Sequence, residues 1–193
     1  MRLKYPLILG SKSPRRQELL KGLGLEFTVR DIDIDEAIPG GMTPIRAAIH
    51  LAEKKAGAGR PLTGDEILLT ADTVVAARGK IYGKPSGEQE GINMLSELSG
   101  GAHDVITGVC LLHKNRLFTA HELTRVFFRI LSEEEIRYYV THYRPFDKAG
   151  GYGIQEWIGM AGIDKIEGSY FNVVGLPVGS VYRLLRELDL VEF

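Results

Sequence analysis

LILGSKSPRR, residues Leu7 to Arg16, is the stretch from which the fold is read. Leu7, Ile8 and Leu9 form a short apolar run of the kind that makes a buried strand. Ser13 precedes Pro14, and proline is favoured at the first helical position because its missing N–H would have had no helical partner there. Ser13 therefore reads as an N-cap, and a helix starts at Pro14. A strand that passes through a short polar loop into a helix begins an α/β unit. The same loop gathers free backbone N–H groups, the positive end of a helix dipole, the hydroxyls of Ser11 and Ser13, and the guanidinium groups of Arg15 and Arg16. That combination suits a phosphate. A capped helix with two solvated arginines accounts for the stretch equally well, so other segments must decide.

Outward from this stretch, strand-like runs occur at PLILG, EFTVRDI, EILLTADTVVAA, KIYG, DVITGVCLLH and LFTAHELTRVFFRIL. Helical segments follow Pro14 and run through PIRAAIHLAEKKA and SGEQEGINMLSELSG, where Ser86 and Gln89 have capping-box spacing. Ser132 and Glu135 repeat that spacing ahead of IRYYVTHY. A last amphipathic helix, VGSVYRLLRELDLV, places Val181, Leu184, Leu185 and Leu188 on one face. A turn is expected at Lys114-Asn115, and the glycine-rich segment from Asp147 to Gly168 reads as a long irregular loop, a place where function concentrates. Early alternation of strands and helices followed by a meander predicts an α/β protein with a mixed, twisted sheet flanked by helices. With 44% hydrophobic and 25% charged residues, residues 1–193 suit a single globular domain.

Lys and Arg number 24 against 25 Asp and Glu, so no global field favours nucleic acid or an anionic membrane, and any basic site is local. The apolar start YPLILG is too short for a membrane span and lacks a cleavage site, which leads us to expect a cytoplasmic protein. Cys110, the only cysteine, lies in the apolar run VITGVCLL and reads as a buried strand residue.

LGSKSPRRQELL resembles the N-terminal signature of the Maf family, Ala-Ser-x-Ser-Pro-Arg-Arg followed by a leucine-containing helix. The resemblance continues in family order through DIDE (33–36), AEKKA (52–56), ADTVV (71–75), GKP (83–85), HDVITGV (103–109), DKAGGYGIQ (147–155) and IEGSYFNVVGLPV (166–178). Gly10 and Gly151 stand where alanine is more usual. The resemblance implies an elongated, bilobed Maf/ITPase-like fold with a central cleft. It also implies a nucleoside triphosphate pyrophosphatase that cleaves between the α and β phosphates with a divalent metal, Mg²⁺ or Mn²⁺, and that forms a homodimer.

It further implies that Ser11, Arg15, Arg16, Lys55 and Lys84 handle the phosphate chain, where preplaced cations stabilise developing charge. Asp72 matches the family's catalytic aspartate. As a carboxylate read at the end of the apolar run EILLT, it is costly to bury unless paired or metal-bound. Glu36 and Asp147 would join it in an oxygen-rich metal site, while Asp33 and Asp35 read as loop charges. No histidine has metal-ligand spacing, and His103 is expected to orient a neighbouring loop.

Arg15, Thr73 and Gln155 match the subgroup with dTTP and UTP as preferred substrates. A glutamine amide offers one acceptor and two donors, which suits the N3–H and a carbonyl of uracil or thymine; cytosine presents the wrong pattern. Tyr152 and Trp157 read as packing residues that could also stack on a base. Two other functions compete. A regulatory nucleotide-binding protein of septum formation would not need Asp72, Lys55, Lys84 and Glu36 together. A DNA-binding protein is disfavoured by the near-zero net charge and the lack of a second recognition helix.

Overall fold

The computed structural model describes residues 1–193. In chain order the elements are β1 (Arg2–Leu3), β2 (Leu7–Leu9), α1 (Pro14–Gly22), β3 (Thr28–Val29), α2 (Pro44–Ala58), β4 (Ile67–Ala77), β5 (Lys80–Tyr82) and α3 (Glu88–Leu98). There follow β6 (Ala102–His113), β7 (Arg116–Phe128), α4 (Glu133–Tyr143), a 3₁₀ turn (Ala149–Gly151), α5 (Trp157–Ala161), β8 (Ile163–Glu167), α6 (Tyr170–Val174), α7 (Val178–Glu187) and β9 (Val191–Glu192). The main sheet runs β3-β2-β4-β6-β7-β8 with β5 against β4. It is mixed: β2 pairs parallel with both β3 and β4, whereas β4 with β5 and β7 with β8 are antiparallel. The α/β expectation holds.

The chain forms two compact units. The first comprises Met1–Asp72, Thr107–Glu122 and Gly175–Phe193; the second comprises Thr73–Ile106 and Leu123–Val174. In the first, strand alternation sends Leu7, Leu9, Ile67, Leu69, Val109 and Leu111 to one face, where Leu20 of α1 and Val181, Leu184 and Leu185 of α7 cover them. Ile8, Leu68, Cys110 and Leu112 point the other way, against Ala52 and Ala56 of α2. Both faces are covered, which is why these strands read as continuous apolar runs. Helix α2 approaches closely because β6 has a glycine there: a Cβ on Gly108 would lie 2.5 Å from the Ala48 backbone. In the second unit Val75, Val105, Val126 and Phe128 pack with Leu95, Leu98, Ile136, Tyr139 and Val140.

Local signals decide several boundaries. Ser13 Oγ accepts the Arg16 N–H at 3.5 Å with Pro14 opening α1. Both halves of the Ser132/Glu135 capping box form. Lys114 and Asn115, at φ 47° and 61°, turn β6 into β7.

Other expectations need correction. The Ser86/Gln89 box does not form: α3 starts at Glu88, with Gly87 in the cap position. Ser86 instead donates its N–H and hydroxyl to the Glu90 carboxylate, at 2.8 and 2.6 Å, because a charged acceptor outcompetes a neutral one. Of EFTVRDI only Thr28–Val29 pairs as a strand. The segment from Asp147 to Gly168 is not a continuous loop, since it folds into the 3₁₀ turn, α5 and β8.

Candidate active site

The first unit builds its polar cluster from register. Leu9 pairs with Leu69 in the parallel β2–β4 ladder, so Ser11, two residues past the end of β2, follows the same direction as the part of β4 that carries Asp72, three residues past Leu69. Asp72 is not at the end of a strand, as the apolar run suggested, but in the middle of β4, and it is 6% exposed. Alternation puts it on the α2 side with Leu68 and Thr70, and Thr70 donates its hydroxyl to the Ala52 carbonyl at 2.7 Å. Lys55 lies three residues beyond Ala52, on the same face of α2. Its ammonium donates to Asp72 Oδ1 and, at 2.8 Å, to Glu36 Oε1. The loop bearing Glu36 is itself tied down: Lys54 Nζ donates to the Asp35 carbonyl at 2.6 Å, and Asp35 accepts the Ala37 N–H at 3.0 Å. Asp35 is thus a loop charge, as expected.

Beside this pair stands the α1 N-terminus. Arg16 Nε donates to the Gly175 carbonyl at 2.8 Å and its Nη1 to Ser11 Oγ at 3.4 Å, while Ser11 Oγ also accepts the Ser13 N–H at 3.2 Å. Burial lowers the proton affinity of the Arg16 guanidinium, Arg15 lowers it further, and the nearby Asp72 and Glu36 charges oppose that shift. Ser11, Arg15, Arg16, Glu36, Lys55 and Asp72 therefore belong to one cluster: helix N–H groups, three cations and two carboxylates.

Thr73, Lys84, Asp147 and Gln155 belong to the second unit. Thr73 is half-buried on β4; Lys84 is exposed beside the buried Pro85; Asp147 and Gln155 are exposed. Asp147 pairs with Lys148 Nζ at 2.7 Å. Two of the three expected metal carboxylates thus meet on Lys55, and no group of three His, Cys, Asp or Glu side chains gathers in a metal-holding arrangement. Mg²⁺ needs only one or two carboxylates when substrate phosphates and water complete its shell. Glu36 and Asp72, hard oxygen donors already converging on a cation, fit that requirement.

The sequence reading missed Tyr139, Lys148 and Glu156. Lys148 Nζ also pairs with Glu156 Oε1, at 3.0 Å, and Glu156 accepts the Tyr139 hydroxyl. Lys148 sits within DKAGGYGIQ, but a tyrosine within an amphipathic helix carries no local sign of a polar role. Tyr152 and Trp157 are packing residues. Tyr152 is buried, and Trp157 meets Tyr138 edge-on at 5.2 Å.

His103 does hold a loop: its Nε2 lies 2.7 Å from the Tyr152 hydroxyl, and the ring packs edge-on against Phe128 and Tyr152. Burial pushes its pKa down to about 4, against 6.5 for a free histidine. Between those values the unfolded chain binds the proton and the folded one does not, so stability is lost as pH falls from about 6.5 towards 4. The slope due to this one group should approach ~1.4 kcal/mol per pH unit. Thermal melts of wild type and His103→Gln from pH 7.5 to 4.5 check this, since the variant should lose that part of the acid sensitivity.

The family model described as Maf-like protein matches residues 6–188. The chain belongs to the Maf family. It is 48% identical over 187 residues to a Bacteroides fragilis protein named dTTP/UTP pyrophosphatase, covering 96% of this chain and 97% of that one. Relatives of the same name occur in Porphyromonas gingivalis, 48% identical over 95% and 94% of the two chains, and in Flavobacterium johnsoniae, 44% identical over 96% of each. A HAM1 protein from Coxiella burnetii aligns with a TM-score of 0.42 at 20% identity over 64% of this chain and 73% of its own. No helix is long and apolar enough to cross a membrane.

Proposed function

We propose that this chain hydrolyses dTTP and UTP, together with modified pyrimidine triphosphates, to the monophosphate and pyrophosphate. The observation that carries this reading is the buried Lys55 ammonium between Glu36 and Asp72, set beside the serine- and arginine-rich start of α1. Full-length relatives that bear the name dTTP/UTP pyrophosphatase support the same chemistry.

In this reading Ser11, Arg15, Arg16, Lys55 and Lys84 bind the phosphate chain and neutralise charge that builds on it. Asp72 accepts the proton of the attacking water. A divalent cation, Mg²⁺ or Mn²⁺, held by Glu36 and Asp72 would supply further charge neutralisation at the phosphate oxygens. Asp147 is the third carboxylate of the set, and Asp147→Asn should weaken Mn²⁺ binding. Thr73 and Gln155 read the base. We place the protein in the cytoplasm, acting on the nucleotide pool as a homodimer without a nucleic-acid partner; sedimentation analysis tests the dimer.

The deciding experiment incubates dTTP, UTP, CTP and GTP with protein and Mg²⁺ or Mn²⁺ and scores pyrophosphate against orthophosphate. Orthophosphate as the sole primary product would refute the reading. Gln155→Ala should narrow the dTTP-to-CTP ratio in kcat/KM by roughly tenfold. That is the scale of an edge-specific hydrogen bond whose loss strands a buried partner at about 1 to 3 kcal/mol. Uniformly lower rates with an unchanged ratio would mean that Gln155 only ties its segment in place.

A further inference from the structure

We propose that Tyr139 is a positioning residue for base selection, its hydroxyl fixing the turn that presents Gln155. The inference rests on the reading that Gln155 contacts the base. Gln155 is exposed, but little around it is free to move. Tyr152 and Ile154 before it are buried at 5% and 8% exposure. The Glu156 N–H closes a turn onto the Gly153 carbonyl at 3.0 Å, with Gln155 inside it. Helix α5 then presses on that turn at a place where only glycine fits: a Cβ on Gly159 would sit 1.8 Å from the Ile154 carbonyl oxygen.

Tyr139 closes the arrangement from α4, a helix whose start is set by the Ser132/Glu135 box. Its hydroxyl accepts the Gly153 N–H at 2.9 Å and donates to Glu156, so a single oxygen grips both ends of the turn. Glu156 is held in turn by Lys148, whose side chain is 10% exposed. Tyr139 has no exposed surface. Burial, reinforced by the bond to Glu156, pushes its pKa well above the ordinary tyrosine value, so the hydroxyl remains a donor throughout the working range. A buried hydroxyl with both bonding directions used restrains its partners far better than a solvated one, because no water competes for them. A phenylalanine would fill the same volume and leave the Gly153 N–H and the Glu156 carboxylate to find other partners.

The test measures kcat/KM for dTTP, UTP and CTP, with thermal melts, on wild type, Tyr139→Phe, Glu156→Ala, Glu156→Gln and Gln155→Ala. Tyr139→Phe should cut the dTTP-to-CTP ratio about three- to tenfold, mainly through KM for dTTP. Glu156→Ala, which removes the acceptor without entering the core, should do the same, and it carries the test if Tyr139→Phe does not fold. Glu156→Gln keeps an acceptor for the hydroxyl and should recover most of the ratio. A merely structural tyrosine would lower the melting temperature or all three rates together with the ratio preserved, and that result, alongside a shifted ratio in Gln155→Ala, overturns the proposal. An unchanged ratio in Gln155→Ala instead overturns base reading by Gln155, and this inference with it.

Discussion

Asp72→Asn should lower kcat by at least ~10²-fold, the scale of a general acid–base group, while the chain still folds, because the Lys55 ammonium keeps its bond to Glu36. The substitution keeps size and hydrogen-bonding shape and removes one charge. Asp72 sits mid-strand with neighbours packed on both sides of it, so an amide of the same volume disturbs no packing. The charge is a different matter. Asp72 lies within the field of Arg16 and is bonded to Lys55, so it is the most enclosed anion in the cluster of cations. An amide there can neither take a proton from water nor neutralise a cation. Turnover near that of wild type at saturating Mg²⁺ or Mn²⁺ would move the catalytic carboxylate elsewhere, and Glu36 is the next group to examine.

Lys55→Met should be the most destabilising single change in the cluster, by about 3 kcal/mol, because removing one partner of a buried pair leaves an uncompensated charge behind. The two arms are unequal. Asp72 and Lys55 have side chains 9% and 10% exposed, whereas Glu36 is 35% exposed and can recover water. Most of the loss therefore comes from the Asp72 side. For a chain of this length the melting temperature should fall by roughly 6 to 12 °C. A Lys55→Met, Asp72→Asn double variant should lose much less than the sum of the single changes, since the stranded charge is then gone. Divalent cation should also raise the melting temperature of Lys55→Met more than that of wild type, because it restores the counter-charge that Asp72 and Glu36 lose with the ammonium. Unchanged stability in Lys55→Met would mean that the pair contributes nothing in solution.

What could be read in advance was what is decided within a few residues. Ser13 with Pro14, the Ser132/Glu135 box, the Lys114-Asn115 turn and the apolar face of α7 are all set by contacts along the local chain. Motif resemblance pointed to Glu36, Lys55 and Asp72 one at a time. Their meeting on one ammonium depends on α2 crossing the β4 face, which no short window records. The position of Asp72 was misread because an acid within a strand looks like the place where an apolar run stops. Ser86 misled in a different way: its spacing to Gln89 was right, but a stronger acceptor, Glu90, stood one residue further on. Tyr139 was silent because its spacing is that of any core residue, and only its three-dimensional neighbours reveal a hydroxyl with two partners.

The hydrogen bond from Arg16 to the Gly175 carbonyl ties the start of the chain to a segment that the ribosome makes much later. The strands holding Leu7 and Leu9 likewise wait for Val181, Leu184 and Leu185 to cover them. A nascent chain can therefore make the whole Tyr139 region, complete by residue 174, before Gly175 is present to accept the Arg16 guanidinium. Half-made copies lack the late segment, Gly175–Phe193, that completes the first unit.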